Sequence, residues 1–319
     1  MSGKAQSNGL KIFSGSANVP LARDIAKSVK MPLGEIMVSR FSEGEIRIKI
    51  NEDVRGRDVF LIQPTCPPVN DNVMELLIIL DAFRRASARR ITAVLPYYGY
   101  ARQDRKDQPR VPITAKLMAN IITEAGADRI LTMDLHAQQI QGFFDIPVDH
   151  LYAFPVISSY IRKKKLKNLT IVSPDVGGIK MARAYAKSLN ADLAIVDKRR
   201  SGPDEVEAMN LIGEVKGRTV LIPDDMIATG GSLVEAVNAL VKFGAGDIYA
   251  SCTHAILSGN AVQNLQKSVL KEVVITDTIP LPPEKRVAKI TVLPVAPLLG
   301  EAILRIHNEE SISSLFNDL

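Results

Sequence analysis

The chain has 319 residues, 46% of them hydrophobic, enough apolar material to favour two domains over one. A net charge of +5 is too small an excess to mark a nucleic-acid binder by itself and suits small phosphorylated ligands equally well. Aromatic residues are scarce and tryptophan is absent, which argues against a carbohydrate cleft or a base-stacking platform.

The polar start, MSGKAQSNGL, has no apolar core of a secretory signal. VFLIQ (59–63) predicts a strand, NVMELLIILDAFRRA an amphipathic helix and ITAVLPYY a second strand. ITAKLMANIITEAG then predicts a helix and RILTMDLH a strand. Prolines interrupt the pattern in DIPVDHLYAFP, and LTIVSPD, GGIKMARAYAKSL and DLAIVDKRR resume it as strand, helix and strand. This order predicts an α/β fold of mostly parallel sheets with helices on both faces, divided into domains 1–150 and 151–319. Cys66 and Cys252 are isolated and lack metal-ligand spacing, so a reduced, cytoplasmic chain is expected. No apolar run is long enough to cross a bilayer, so neither membrane nor nucleic acid is an expected partner.

The sequence repeats itself. VRGRDVFLI begins at Val54 and VKGRTVLIP at Val215. A strand-like run precedes each copy (EIRIKI and EAMNLI), and a helical pattern and a strand follow, which suggests two copies of one α/β unit.

The second copy carries the candidate site. TVLI reads as a strand and a helix starts near Ser232, so DDMIATGGS would lie where open α/β sheets bind ligands. Gly230 and Gly231 can turn backbone N–H groups toward an anion, and Thr229 and Ser232 add hydroxyl donors. Asp224 and Asp225 would repel a phosphate but could accept hydrogen bonds from a sugar diol or help to hold Mg²⁺. The plainer alternative is an acidic turn with Ser232 as an ordinary helix cap. In the first copy QPTCPPVND faces this string; Gln63 and Pro64 replace the acids, and Pro67 and Pro68 have no N–H to donate. Neither GxxxxGK[ST] nor GxGxxG occurs.

DDMIATGGS resembles the phosphoribosyl-pyrophosphate loop of phosphoribosyltransferases and ribose-phosphate pyrophosphokinases. KIFSGSANVPLARDIA, RFSEGEIRIKI, NDNVMELLI, YYGYARQDRK, MDLHAQQIQGFFDIP, IVSPDVGG, VDKRR and HNEESISSLF extend the likeness to the pyrophosphokinases over essentially the whole chain. The resemblance implies two similar phosphoribosyltransferase-like domains and diphosphoryl transfer from ATP to ribose 5-phosphate, with Mg²⁺ as cofactor. It implies that Lys198 and Arg200 are catalytic and that Arg200, Asp224, Asp225, Ala228, Thr229, Gly230, Gly231 and Ser232 hold ribose 5-phosphate. ATP would be held by Phe41, Glu43, Gly44, Glu45, Arg102, Gln103 and Asp107, and the metal by His136 and Asp175. Asp134 and His136 are expected on one face of a strand end. A homo-oligomer, a hexamer built from dimers, is implied, with the tail (about 303–319) packed on the first domain. Arg55, Arg110, Ser311, Ser313 and Phe316 match an allosteric region. Two departures stand out: Ala228 replaces a common acid, and Asp53 replaces a small hydroxyl residue beside the allosteric phosphate. A phosphoribosyltransferase acting on a base, or a non-catalytic regulatory homologue, are the alternatives.

Overall fold

The structure, a computed structural model, describes residues 9–199 and 208–316. Contacts group the chain into two units. The first holds β1 (Leu10–Ser14), α1 (Val19–Ser28), β2 (Ile36–Arg40), β3 (Ile46–Ile50), β4 (Asp58–Ile62) and α2 (Val69–Arg85). It continues with β5 (Arg90–Leu95), α3 (Thr114–Ala125), β6 (Arg129–Met133) and β7 (Val148–Leu151). Its sheet has the order β1-β4-β5-β6-β7, all parallel, and β2 and β3 form a separate antiparallel hairpin. Every residue of β4 is buried, as a central parallel strand covered on both faces requires. Leu76, Ile79, Leu80 and Phe83 recur at helical spacing on α2 and bury one stripe against this sheet. Phe83 packs on Phe13 with ring centroids 4.8 Å apart.

The second unit begins with α4 (Phe154–Lys164), β8 (Leu169–Ser173), α5 (Ile179–Leu189), β9 (Asp192–Arg199) and β10 (Ala208–Ile212). Then come β11 (Thr219–Ile227), α6 (Gly231–Lys242), β12 (Ile248–Ala255), α7 (Ala261–Lys267), β13 (Glu272–Thr276) and β14 (Ile290–Leu293). The sheet order is β10-β9-β8-β11-β12-β13-β14, parallel except for β10. The α/β expectation is borne out.

The repeat is structural as well as textual. Val54 and Val215 are both buried, and Gly56 and Gly217 take left-handed φ of 68° and 67°. In both turns the following arginine N–H donates to the valine carbonyl at 3.0 Å. Strand order then matches, β1-β4-β5-β6-β7 against β8-β11-β12-β13-β14. The hairpins differ: β9–β10 extends the second sheet, whereas β2–β3 stands apart from the first.

After β14 the chain returns to the first unit as α8 (Ala296–His307). Leu299, Ala302, Ile303 and Ile306 are its buried stripe, and Gly300 admits a close approach to α1. A Cβ on Gly300 would lie 2.2 Å from Ser28 Oγ. Among the described residues no helix is long and apolar enough to cross a membrane.

Candidate functional site

The carboxyl edge of the second sheet carries the site. β11 runs on through Ile227, so Asp224 and Asp225 lie within the strand, not in the loop that the sequence suggested. The reason is the one-sided pairing of β11. It pairs with β8 only over Thr219–Leu221 but stays in register with β12 as far as Ile227. Pro223 has no N–H to offer on the open side and needs none there.

Asp224 Oδ1 accepts the Asp225 N–H at 2.8 Å, which holds one carboxylate beside the other. Burial, then the charge and hydrogen bond of Asp225, and further the charge of Asp175, push the Asp224 carboxyl up to about 8. Asp225 and, more weakly, Asp175 thus both act on Asp224 at this edge. Asp224 stands opposite Cys252, whose fully buried thiol is pushed well above its ordinary value by burial and by both acids. Such a thiol is inert.

Beyond β11 the chain forms a cradle. The carbonyls of Ile227 and Ala228 accept N–H bonds from Leu257 and Ser258 at 3.1 and 2.9 Å, which pins the start of the loop. Gly230 caps α6 with φ 74° and no side-chain cap bond. A Cβ there would meet nothing closer than 3.8 Å, so backbone conformation, not space, calls for glycine. The Val234 N–H makes the first helical bond, to the Gly230 carbonyl at 3.0 Å, so the helix amides before it face the open end. Ser232 lies inside α6, not at its cap, which removes the plainer alternative for this residue. Thr229, Gly230, Gly231 and Ser232 therefore surround one helix N-terminus, two to five residues past the end of β11.

Asp175 follows β8, the neighbour of β11. Its Oδ1 accepts the Gly178 N–H at 2.9 Å, and its carbonyl accepts the Ser173 hydroxyl at 2.6 Å, fixing the turn into α5. Lys198 lies on β9 opposite Met209 of β10. Arg200 lies outside the described residues.

The first unit fills the corresponding edge with its own side chains. Gln63 is fully buried. Its Oε1 accepts the Ala17 N–H at 3.2 Å and its Nε2 donates to Glu75 Oε1 at 3.0 Å. Glu75 in turn accepts the Ser16 N–H and hydroxyl, both at 2.6 Å. Gly15 is obligatory, since a Cβ would sit 2.2 Å from Gln63 Oε1. No pattern in the sequence announced this closed network, because Ser16, Gln63 and Glu75 meet only through the fold.

The other candidates of the first unit occupy its hairpin and loops. Phe41, Glu43, Gly44 and Glu45 form the tip between β2 and β3. The Phe41 N–H bonds to the Glu45 carbonyl at 2.9 Å, Gly44 has φ 98°, and the 45% exposed Phe41 ring lies 5.5 Å from the Arg47 guanidinium carbon. Gln103 is fixed by its N–H to the Tyr100 carbonyl at 2.9 Å, and its own carbonyl receives the Ala115 N–H at 3.1 Å. Arg102 and Asp107 are exposed in the same loop. β6 ends at Met133, and Asp134 has φ 38°, so strand alternation no longer applies. The expectation that Asp134 and His136 share a face by alternation is corrected: Asp134 is buried and His136 is exposed. The buried His150, missed in the sequence, holds this turn through the Leu135 N–H, 2.9 Å from its Nε2.

The allosteric candidates also belong to the first unit. Arg55 donates to Ser87 Oγ at 3.1 Å, and the Asp53 carboxylate accepts the Arg55 N–H at 3.0 Å. Arg110 has φ 66°. Arg305 ties the tail by donating to the Ser311 carbonyl at 3.0 Å and to Ser314 Oγ at 2.7 Å, and the Ser313 N–H bonds to Ser311 Oγ at 3.2 Å. Phe316 closes the final 3₁₀ turn.

Among the described residues no three acidic, histidine or cysteine side chains converge as a ready metal cage. The acids at the second-unit edge do fit Mg²⁺, which retains waters and binds through one or two carboxylates plus substrate oxygens.

A parallel α/β unit built twice, with one anion cradle at a carboxyl sheet edge, defines a binding protein for small phosphorylated ligands. Residues 10–126 match the N-terminal domain of ribose phosphate pyrophosphokinase and residues 196–317 the phosphoribosyl synthetase-associated domain. The chain is 56% identical over 308 residues to the ribose-phosphate pyrophosphokinase of Gloeobacter violaceus, covering 96% of this chain and 93% of that one. It is 54% identical over 317 residues to that of Corynebacterium ammoniagenes, covering 99% and 100%. The crystal structure of phosphoribosylpyrophosphate synthetase from Mycobacterium smegmatis superposes with a TM-score of 0.90 at 41% identity, covering 94% and 99%. The chain belongs to the ribose-phosphate pyrophosphokinase family, its fold is α/β with parallel sheets flanked by helices, and it is a ribose-phosphate diphosphokinase.

Proposed function

We propose that the protein transfers the diphosphoryl group of Mg-ATP to the C1 hydroxyl of ribose 5-phosphate, giving 5-phosphoribosyl 1-pyrophosphate and AMP in the cytoplasm. The observation that carries this reading is the acid pair one short loop away from the uncapped N-terminus of α6, present in the second unit only. Asp224 and Asp225 accept hydrogen bonds from the ribose 2- and 3-hydroxyls. The amides and hydroxyls of Thr229–Ser232 take the 5-phosphate, where the helix end favours an anion. Ala228 supplies no carboxylate to this string, and its carbonyl is already bonded to Ser258.

With the sugar held at both ends, its C1 oxygen attacks the β-phosphorus of ATP. The bond from that phosphorus to the α,β-bridging oxygen breaks, AMP leaves, and the hydroxyl proton passes to solvent. Lys198 and Arg200 stabilise the charge that gathers on the transferring group. Asp175 of the second unit and His136 of the first are each proposed as metal-holding residues, and Mg²⁺ bound with ATP oxygens would neutralise the phosphates. Phe41 stacks on adenine, Glu43 and Glu45 with Gly44 receive its amino edge, and Arg102, Gln103 and Asp107 hold the rest of ATP. The active form is a homo-oligomer, a hexamer, and Arg55, Arg110, Ser311, Ser313 and Phe316 form its effector site. Purified protein given ATP, ribose 5-phosphate and Mg²⁺ yields AMP and phosphoribosyl pyrophosphate in equal amounts. Folded protein that forms no AMP refutes the reading.

A further inference from the structure

A cavity of about 710 Å³ opens in the second unit, away from the acids and the cradle. Asn168 and Leu169 at the start of β8, Asp192 at the start of β9, and Gly217 and Arg218 just before β11 place it at the amino edge of the sheet. A strand the length of β8 separates the two edges by about 16 Å. Ile161, Leu166 and Leu189 contribute apolar wall, and the volume falls in the range of small-molecule sites.

The charge of this lining is one-sided. Arg162, Lys165, Lys216 and Arg218 face the cavity against the single carboxylate of Asp192. Two of the four are held in place. Arg162 Nη2 donates to Ser188 at 3.1 Å (carbonyl) and 3.0 Å (hydroxyl), and Arg218 is tied to Asp192 and to Thr170 Oγ1. A guanidinium has five N–H donors, so both retain donors beyond these bonds. Lys165 and Lys216 make no ion pair among the described residues. The nearby Glu214 carboxylate accepts the Lys216 backbone N–H at 2.8 Å, and Lys164 is paired with Glu272. The ends of α4 and α5 also reach this cavity, but left-handed caps at Lys165 and Asn190 return N–H groups to the Arg162 and Lys187 carbonyls.

The duplicated fold supplies a control. Gly9, Leu10, Lys11 and Arg57 line the same corner of the first unit, where the cavity is about 220 Å³. There Lys11 is paired with Glu52. The corner is common to both copies, but the second is larger and sets four cations against one acid where the first sets Lys11 and Arg57 against Glu52.

We infer that this corner is a second anion site, separate from the ribose-phosphate cradle, that takes a phosphorylated small molecule. The arginines grip phosphoryl oxygens in fixed directions, and Lys165 beside Arg162 and Lys216 beside Arg218 add charge to the same lining. Inorganic phosphate and the diphosphate of a nucleotide share this chemistry, and the test separates them.

The test is lysine footprinting of the full-length protein at constant ionic strength. Acylation rates of Lys165 and Lys216 are read by peptide mass spectrometry as orthophosphate or ADP is titrated in. Lys163 and Lys167 are exposed and do not line the cavity, so they serve as internal references. Saturable protection of Lys165 and Lys216, at least threefold, with unchanged references, is expected. Protection by orthophosphate identifies the free anion as sufficient, and protection by ADP alone identifies the nucleotide. The Lys216→Gln variant keeps the backbone bond to Glu214 and should retain basal synthesis while losing saturable protection at Lys165. Equal labelling with and without either compound, equal protection of Lys163 and Lys167, or undiminished protection of Lys165 in the variant overturns the assignment.

Discussion

Replacing Asp224 by Asn should stabilise the protein while abolishing its activity. The Asp224 carboxyl is raised from an ordinary value of 3.8 to about 8, chiefly by burial and then by Asp225. Between those values the folded protein keeps a proton that the unfolded chain releases. Stability from this group is therefore complete below about pH 4 and lost progressively as pH rises to about 8. At pH 7 the loss is at most about 4 kcal/mol, and rehydration of the sheet edge reduces it to about 2 kcal/mol. Asparagine carries no charge to desolvate, and its Oδ1 can still accept the Asp225 N–H. The thermal midpoint of Asp224→Asn should thus exceed that of the parent by about 5 °C at pH 7. The difference should shrink toward zero near pH 4 and reach its plateau above pH 8. Added Mg²⁺ should narrow the gap at pH 7 by binding the ionised acids of the parent. A variant whose midpoint is equal or lower at every pH, or whose advantage does not grow with pH, refutes the argument that burial and Asp225 raise this carboxyl.

Lys198→Ala should lower kcat about 10²–10³-fold with a much smaller change in ribose 5-phosphate affinity, as loss of a transition-state contact requires; steady-state kinetics with both substrates separates the two. Gly230→Ala imposes a side chain on φ 74°, so it should cost about 1 kcal/mol of stability and weaken ribose 5-phosphate binding about tenfold, read by calorimetry. Asp53 places a carboxylate beside Arg55, so phosphate should activate the enzyme weakly and Asp53→Ser should strengthen the effect. Steep activation of the parent at constant Mg²⁺, with an identical response in the variant, refutes this. Gly300→Ala should overpack the contact between α1 and α8 and cost about 1–3 kcal/mol, visible as a lower thermal midpoint.

Much of this architecture was legible in the sequence because its signals are local. Periodic runs such as VMELLIILDAF state both the helix and its buried stripe, and V-[KR]-G-R-x-V marks a turn that needs its glycine at positive φ. What escaped depends on contacts far apart in the chain. Pro223 and two acids look like the end of a strand, yet β11 continues because β12 pairs with it after β8 has stopped. Asp134 leaves the strand by a left-handed turn that Leu151 and His150 hold across the sheet, through the Asp134 and Leu135 N–H groups. The apolar face of α8 reads as a helix, but nothing in its own residues names α1 as the surface it covers.

The two copies explain each other. Register and repeat together set Ser16 in the place of Asp175 and Gln63 in the place of Asp224. In the first copy the amide of Ser16 already receives an anion, the Glu75 carboxylate, and Gln63 bridges the two. That copy is an edge closed by its own chain, its Ser16, Gln63 and Glu75 groups bonded to one another. In the second copy Ala236 stands where Glu75 would be, and among the described residues no side chain caps α6. Burial and the neighbouring acids keep Asp224 protonated near neutrality. The first edge thus spends its polar groups on rigidity, and the second is the one on which the proposed sugar phosphate and divalent ion would act. A Glu75→Ala change should therefore cost stability in the first unit without creating a second cradle, since Pro67 and Pro68 still interrupt the amides ahead of α2.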